Sequence, residues 1–331
     1  MQRVDLRLRF RCQPWRLLFS ALVSVGAFLA PTHAVASPKE LLAAGRVDDA
    51  IQTLQRQLEL SSTDADSYNL LCRAYFMLEE WDRGIANCER ARNLDPHKAL
   101  YHLWLGRIYG EKADRAGFLS AAGLAKKVRS SFERAVELDP QSWEARADLA
   151  EFYLEAPGIV GGGKDKAQAQ ADAIATLNPA LAHWIAAHIA AKNHDSASAE
   201  REYRAAIAAN QTLGRAWVDL AGLLLRNNRL DDMEQVLRNL EAAPVEQHEA
   251  LRDGASILLR ASRDLPLAAR LLRRYLSAPV EECPAFKAHD MLGQLLEKQG
   301  DRQAAAGEYR AAIALAHGYV RAQADLKRIQ P

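Results

Sequence analysis

One stretch of the chain contains the residue types that hold a nucleotide phosphate. Residues 158–165 read GIVGGGKD, which matches the first part of the phosphate-binding pattern G-x-x-x-x-G-K. The residue after Lys164 is Asp165, where that pattern requires Ser or Thr to hold magnesium, and the preceding residues are typical of a helix rather than a strand. The sequence therefore argues against ATP binding. A weaker alternative to a plain turn is an anion site at a helix start, formed by Gly161, Gly162, Gly163 and Lys164.

The other reactive side chains show no catalytic or metal-binding spacing. His183 and His188 are five residues apart, which is not the spacing of a helical metal pair, and no Glu or Cys completes a set with them. No Ser or Cys lies in a recognisable nucleophile elbow, and no pair of carboxylates stands out from the solvated helix faces. We therefore expect no metal, no other cofactor and no enzymatic activity.

These residues lie within a repeating helical pattern. Residues 65–98 contain two runs of helical spacing, separated by a turn at 79–80. The landmarks of this 34-residue stretch are Tyr68, Leu71, Cys72, Tyr75, Gly84, Cys88, Ala91 and Pro96. It resembles the tetratricopeptide repeat, in which two antiparallel helices carry large and small residues at fixed places and Pro follows the second helix.

The resemblance extends over most of the chain. It implies about eight repeats within residues 37–331, of which the first is truncated, and a closing helix at 319–329. A single helix pair cannot cover its own apolar face, so consecutive pairs stack around one continuous core. The expected fold is therefore all-α, a right-handed superhelical solenoid of helix-turn-helix repeats.

In this family the first helix of each repeat lines a concave groove. The resemblance implies that this groove binds a protein or peptide partner through apolar anchors and charge-assisted hydrogen bonds. Several groove positions could instead pack on the next repeat. The residues at these positions are Asn69, Arg73, Phe76, Met77, Arg107, Glu151, Trp184, His188 and Arg226.

Two repeats carry insertions at the same place, between the first and second helices. Residues 110–127 of repeat three and 156–166 of repeat four should form two loops about 10 Å apart on one edge. Their apolar residues require a partner, either the end of the core or a ligand, and both interpretations place the loops in contact. The second functional hypothesis is therefore a protein that binds a small ligand, an anion or a glycan through these loops. The apolar residues are Phe118, Leu119, Ile159 and Val160.

Two cysteines occupy facing places of repeat two. Cys72 and Cys88 hold the eighth and twenty-fourth places, which lie opposite one another across the helix pair. Outside the cytoplasm they can form a disulfide if their Cα atoms lie within about 6.8 Å. Two free thiols that pack as small apolar side chains are the preferred interpretation.

The first 36 residues have the three parts of a secretory signal peptide. Five arginines precede an apolar run at 17–30, and Ala34-Val35-Ala36 ends the segment. The 14-residue run is short for a membrane span, so an uncleaved anchor is the alternative. Ser37 to Glu40 then read as the start of a helix, which favours cleavage after Ala36. We expect export to the periplasm or envelope, with membrane contact only through this segment if it stays uncleaved.

Composition excludes one class of partner. Charged residues make up 26% of the chain and nearly balance, with a formal net charge of +1. The sequence therefore has no polybasic signature, and we expect no nucleic-acid partner.

Overall fold

A computed structural model of the chain describes residues 36–246, 248–279 and 284–330; the side chains of Phe118 and Leu119 lie outside this description. The predicted signal peptide lies outside it too, except for Ala36. The helix start that follows is present: the Ser37 side chain accepts from the Glu40 N–H, and the Glu40 carboxylate accepts from the Ser37 N–H. This reciprocal capping satisfies two backbone donors that would otherwise be left open.

The described residues form seventeen α-helices and no strand. The first eight helices are α1 (Pro38–Ala43), α2 (Val47–Leu60), α3 (Ala65–Met77), α4 (Trp81–Leu94), α5 (Ala99–Asp114), α6 (Phe118–Leu138), α7 (Trp143–Glu155) and α8 (Lys164–Ile174). The next nine are α9 (Pro179–Lys192), α10 (Ser196–Ala209), α11 (Gly214–Arg226), α12 (Leu230–Ala242), α13 (Glu249–Ala261), α14 (Leu265–Leu276), α15 (Ala285–Lys298), α16 (Arg302–Leu315) and α17 (Val320–Ile329). A single 3-10 turn, Gly158–Val160, lies between α7 and α8.

Odd-numbered and even-numbered helices alternate as the first and second helices of eight pairs, and α17 follows the last pair. Each helix packs chiefly on its neighbours in the chain, and one continuous apolar cluster extends from Cys72 to Tyr309. The predicted all-helical solenoid is therefore confirmed. Among the helices described, none is long and apolar enough to span a membrane.

Close approach of helices explains the small residues of the pattern. A Cβ atom at Gly106 would lie 2.4 Å from the ring of Phe132, on the second helix of the same repeat. A Cβ atom at Gly84 would lie 2.2 Å from Ile108 of the next repeat. A larger side chain at Gly106 would displace the Phe132 ring and so strain the packing of the two helices, whereas at Gly84 the flexible end of Ile108 would have to move.

Cys72 and Cys88 are joined by a disulfide. Their Cα atoms lie 5.2 Å apart, within the range that a bridge requires. The structure differs here from the preferred interpretation as two free thiols. The bridge links the first and second helices of repeat two, in the position that the facing places of the repeat indicated.

The insertion of repeat three is not a loop. The structure continues α5 to Asp114 and begins α6 at Phe118, so only residues 115–117 connect the two helices. The prediction of a loop over 110–127 is therefore wrong. Most of the inserted residues are Ala, Leu, Lys and Glu, which favour helix, so they prolong both helices of the pair instead.

The insertion of repeat four is a short loop that ends at Gly163. It contacts repeat three through α6, because Nη1 of Arg129 donates to the Val160 carbonyl over 3.4 Å. Val160 is buried, whereas Ile159 is 91% exposed. Of the two alternatives for these apolar residues, packing at the end of the core therefore holds for Val160 and not for Ile159.

The first and last repeats contact one another. The N–H of His317 donates to Oδ2 of Asp48 over 2.8 Å, and the same oxygen lies 2.8 Å from Nδ1 of the His317 ring. Nearby, the Lys287 ammonium donates to the Glu79 carboxylate. Beneath these polar contacts, one buried cluster combines apolar residues of both ends, including Leu42, Val47, Met77, Phe286, Ala312 and Ala316.

The charges at this contact are well matched. Burial alone would raise the pKa of the Glu79 carboxyl. The hydrogen bond from Lys287 and the charges of Lys287 and Arg115 outweigh that effect, so the pKa is lowered. Glu79 therefore remains ionised near neutral pH and supports the contact, and this support is lost as the pH falls through the lowered pKa.

A cysteine pair tests the contact between the ends. We expect Asp48→Cys/His317→Cys, made with Cys12→Ser and Cys283→Ser, to form a new disulfide on mild oxidation, because the two positions touch. The bridge would close a loop of 269 residues, which should speed migration on a non-reducing gel.

The matched control is Glu59→Cys/His317→Cys in the same background. Glu59 lies eleven residues beyond Asp48 on α2, about 16 Å along the helix, which is beyond the reach of a disulfide. Equal cross-linking in the two variants would contradict the contact.

Candidate functional site

The inner helices of five consecutive repeats enclose a cavity. Its volume is about 590 Å³, and its walls come from α5, α7, α9, α11 and α13 together with the segments that follow α12 and α14. All five of these are first helices, as predicted for the concave surface. The residues that line it are Arg107, Trp143, Glu144, Glu151, Trp184, His188, Arg215, Val218, Asp219, Glu246, His248, Glu249, Ala250, Asp253 and Pro279.

Two arginines in the wall share one carboxylate. Nε of Arg107 lies 2.6 Å from Oδ2 of Asp148, and both side chains are nearly inaccessible to solvent. Nη1 of Arg215 lies 3.9 Å from the other oxygen, Oδ1. Asp148 therefore links α5 to α11 across α7, and it orients both guanidinium groups before any ligand arrives.

Tryptophan rings lie beneath the guanidinium groups. Arg73 and Arg107 lie over the Trp104 ring, 4.9 and 5.1 Å from its centroid. Arg215 lies 5.6 Å from the Trp143 centroid and 5.1 Å from that of Trp184. Cation–π attraction of this kind holds each arginine in one orientation against an apolar surface.

Asp219 of α11 is held by two side chains of α9, those of Trp184 and His188. The Trp184 Nε1–H donates to Oδ2 of Asp219 over 2.7 Å, and Nε2 of His188 lies 3.0 Å from the same oxygen. Burial would raise the pKa of Asp219, but the hydrogen bond and charge of His188 and the hydrogen bond from Trp184 together lower it. Asp219 therefore remains ionised.

Two other carboxyl groups of the cavity, those of Glu151 and Asp253, have a raised pKa, because their negative charge is compensated less fully than that of Asp219. Burial raises the pKa of Glu151, despite the opposing charges of Arg215 and His188, and the nearby carboxylates Asp148 and Asp219 raise it further. Glu151 keeps access to solvent through the cavity, and it makes no hydrogen bond or ion pair with any residue that the structure describes. Burial also raises the pKa of Asp253, which is paired with Arg252.

Four of the predicted groove residues line the cavity: Arg107, Glu151, Trp184 and His188. Arg73 lies beside them over Trp104. Arg226 is exposed and lines a smaller depression together with Glu155 and His188. The first-helix positions therefore bring four of the nine predicted residues to one cavity, and their part in binding stays a prediction.

Three other predicted groove residues serve the core instead. Met77 is buried in the apolar cluster shared by the first and last repeats, because its place at the end of α3 faces that contact. Asn69 is also buried. Phe76 packs edge-on against Trp81 and Trp104, with ring centroids 5.7 and 5.5 Å apart. Packing on the next element is the reason that none of these three lines the cavity.

Sequence reasoning missed the aspartates of the cavity, although a signal was present. Asp148, Asp219 and Asp253 each stand two residues before the small alanine of their first helix, in a repeated Asp-x-Ala pattern. Because one helical turn holds 3.6 residues, equivalent places of stacked repeats point the same way and bring these carboxylates to one surface.

The glycine loop of repeat four does not form an anion cradle. The N–H groups of Gly161, Gly162 and Gly163 donate to the carbonyls of Gly158, Pro157 and Tyr153, over 2.9, 3.2 and 2.8 Å. The loop lysines are also engaged, since Lys164 donates to Asn193 and Lys166 donates to the Gly161 carbonyl. These bonds leave none of the three amides for an anion.

The glycines instead have a conformational role. Gly161 has a φ of +104°, and a Cβ atom at Gly162 would lie 1.8 Å from the Ala156 carbonyl oxygen. Both positions therefore require glycine for the tight turn that brings the chain from α7 into α8. Within the described residues, no group of three or more His, Cys, Asp or Glu side chains is arranged to hold a metal ion.

Comparison with known families agrees with this architecture. One model of the tetratricopeptide repeat matches residues 41–109, and another matches residues 186–246 and 254–320. Together they cover more than half of the chain. The protein therefore belongs to the tetratricopeptide repeat family, whose repeats generally mediate protein–protein interaction.

Solved structures that are similar to this chain are distant from it in sequence. TTC0263, a thermophilic repeat protein of Thermus thermophilus, is 19% identical with a TM-score of 0.47, over 57% of this chain and 95% of its own. A tetratricopeptide repeat protein of Parabacteroides merdae is 12% identical with a TM-score of 0.43, over 88% and 95%. A chain of the Cut9–Hcn1 hetero-tetramer of the APC/C is 15% identical with a TM-score of 0.40, over 89% and 54%.

These similarities are too remote to carry an argument about partners. A search of curated proteins finds no match. The site must therefore be interpreted from its own geometry.

The unpaired carboxylate of the cavity should lower stability at neutral pH. The folded protein holds a proton on Glu151 more tightly than the unfolded chain does, so ionisation of this group costs folding free energy. Gln cannot ionise, and we expect Glu151→Gln to raise the Tm at pH 7. The difference should shrink below the usual Glu pKa of about 4.3, where the group is neutral in both states.

Thermal unfolding between pH 3 and pH 8 checks this expectation. The control is Glu155→Gln on the same helix, which removes an exposed ion pair with Lys192 and should change stability by less than about 1 kcal/mol. A lower Tm of Glu151→Gln at pH 7 would show that the carboxylate is stabilising, contrary to this account.

Proposed function

We propose that residues 37–331 form a non-catalytic scaffold that binds a segment of a partner protein in the cavity of the inner face. The observation that supports this proposal most directly is the cavity itself, because five consecutive first helices contribute charged and aromatic side chains to it. A site spread over five helices suits a chain segment, since each helix offers a separate contact along its length.

The polar groups of the cavity are preorganised. Arg107 and Arg215 are fixed by Asp148 and by tryptophan rings, and Asp219 is fixed by Trp184 and His188. Side chains that are already immobile lose little conformational entropy on binding. A larger part of the free energy of each contact therefore contributes to affinity. The accessible part of Trp143 supplies an apolar anchor of the kind that binding interfaces use most.

The loop hypothesis has less support. The amides and lysines of the glycine loop bond within the fold, and the exposed apolar residue there is Ile159 alone among the loop residues whose side chains the structure describes. The cavity, in contrast, combines volume with fixed polar groups. We therefore place the binding function in the cavity rather than in the loop.

We also propose that the protein acts outside the cytoplasm. The first 36 residues have the composition of a signal peptide, and the disulfide between Cys72 and Cys88 is of a type that persists in oxidising compartments. These two observations come from different parts of the chain and favour the same location.

A variant that fills the cavity tests the binding proposal. We expect Val218→Trp to abolish capture of the partner from an envelope extract, because the larger side chain would occupy the volume beside Trp184 and Asp219. Affinity capture followed by mass spectrometry measures the change, with the Tm of each variant as a check on folding.

The control for this experiment is Glu137→Gln, on the second helix of repeat three and outside the cavity. Its set of captured proteins should equal that of the wild type. If Val218→Trp retains the same set as well, the partner binds elsewhere and the proposal fails.

Intact-mass measurement tests the proposed location. Protein purified from its native host should begin at Ser37, and alkylation without reductant should leave Cys72 and Cys88 unmodified, since both sulfur atoms are in the disulfide. After reduction, both should be alkylated. An intact Met1 would contradict cleavage, and alkylation of both residues before reduction would contradict the disulfide.

A further inference from the structure

The cavity contains many more acidic than basic groups. Its lining includes two arginines, Arg107 and Arg215, and two histidines, His188 and His248. Against these stand six carboxyl groups, those of Glu144, Glu151, Asp219, Glu246, Glu249 and Asp253. Near neutral pH the site is therefore negative, although the whole chain has a formal net charge of only +1.

The positive groups of the wall do not neutralise this excess. Both arginines are already paired with Asp148, a seventh carboxylate that lies behind the cavity wall. His188 is paired with Asp219. Asp253 is paired with Arg252, and Glu144 and Glu249 also interact within the fold. The lining carboxylates with no side-chain partner among the described residues are therefore Glu151 and Glu246, and the formal charge of the lining stays negative.

Glu151 shows that the excess is costly. It lies in the cavity lining, makes no hydrogen bond or ion pair with a described residue, and stays exposed to the solvent of the cavity, where partial desolvation and the nearby carboxylates Asp148 and Asp219 raise its pKa. A cation that binds beside such a carboxylate lowers the free energy of its ionised form, because it replaces part of the lost solvation. Native proteins retain costly groups of this kind mainly at functional sites.

The aromatic walls restrict the shape of that cation. Trp143 lines the same cavity as Glu151 and is partly exposed, whereas Trp184 is buried, and Arg215 lies over both rings. A Lys or Arg side chain has a long apolar stem and a charged tip, so its stem can pack on an indole ring while its tip reaches a carboxylate. A bare metal ion has no apolar part to place against these rings.

We infer that the cavity receives a basic segment of a partner protein, with a Lys or Arg side chain directed at Glu151 and its apolar stem against the accessible part of Trp143. This inference rests on the proposed function and specifies the chemistry of the partner. Charge complementarity supports it, because the acidic lining attracts a basic segment and repels an acidic one. Glu246 lies exposed at the rim and offers a second contact for the same segment.

Two designed peptides test the inference with the full chain. Fluorescein-labelled AKAKAKAK should bind at 50 mM salt, should bind more weakly at 300 mM salt, and should bind far more tightly than labelled AEAEAEAE. Glu151→Gln/Glu246→Gln should weaken binding of AKAKAKAK roughly tenfold or more, since it removes two charge-assisted contacts without disturbing an ion pair of the fold.

The matched control is Glu59→Gln/Glu137→Gln, which removes two exposed carboxylates outside the cavity and should leave the Kd within about twofold of the wild type. If both double variants lose affinity for AKAKAKAK equally, the peptide is attracted non-specifically to an acidic protein, and the inference is overturned. Failure of AKAKAKAK to bind at millimolar concentration, or tighter binding of AEAEAEAE, would also overturn it.

Spermine separates a peptide site from a polyamine site, because it carries as many amino groups as the basic peptide has lysines but no backbone. We expect it to displace the peptide only at much higher concentration. Displacement at equal or lower concentration would assign the cavity to polyamines instead. If the peptide tests fail while Val218→Trp still abolishes partner capture, the scaffold function stands and only the basic chemistry of the partner is wrong.

Discussion

The inner surface of this protein depends on how closely the two helices of each repeat approach. A Cβ atom at Gly106 would overlap the ring of Phe132, and a Cβ atom at Gly293 would overlap that of Tyr309 in the same way. These contacts set the separation of first and second helices, which in turn sets the angle between one repeat and the next. Five first helices line the cavity, and α5 among them carries Gly106, so this packing between helices helps to set the position of the cavity wall.

Binding chemistry and stability compete in this arrangement. The apolar core alone would favour a neutral inner face, since ionised carboxyl groups lose solvation there. Several of the inner charges are compensated within the fold: Asp148 by two arginines, and Asp219 by Trp184 and His188. Glu151 is left without such a partner among the described residues and faces the cavity, which is why the proposed recognition of a cation is placed at this side chain.

Much of the fold could be predicted from the sequence, because each repeat obeys a local rule about large and small residues. The same rule located the inner face, and therefore Arg107, Trp184 and His188. The rule does not predict that Met77 is buried, because the neighbours of Met77 include residues of the last repeat, which is distant in the chain. The repeat pattern does not predict the helical extension within residues 110–127, because it assigns extra residues to the loop between the helices, whereas the helix propensity of these residues prolongs both helices. The aspartates of the cavity were visible as a repeated pattern, but only the structure shows which arginines they hold.

Site-specific cross-linking tests the central claim most directly, because it identifies what enters the cavity in the cell. A photoreactive benzoylphenylalanine at Val218, in the otherwise unchanged full chain in its native host, would attach to any segment that lies within the cavity. The account predicts that the attached peptide comes from another protein and carries Lys or Arg within a few residues of the cross-link, and that the same probe at Glu137 does not attach to it. An acidic attached segment, or the same attachment from both positions, would contradict the account.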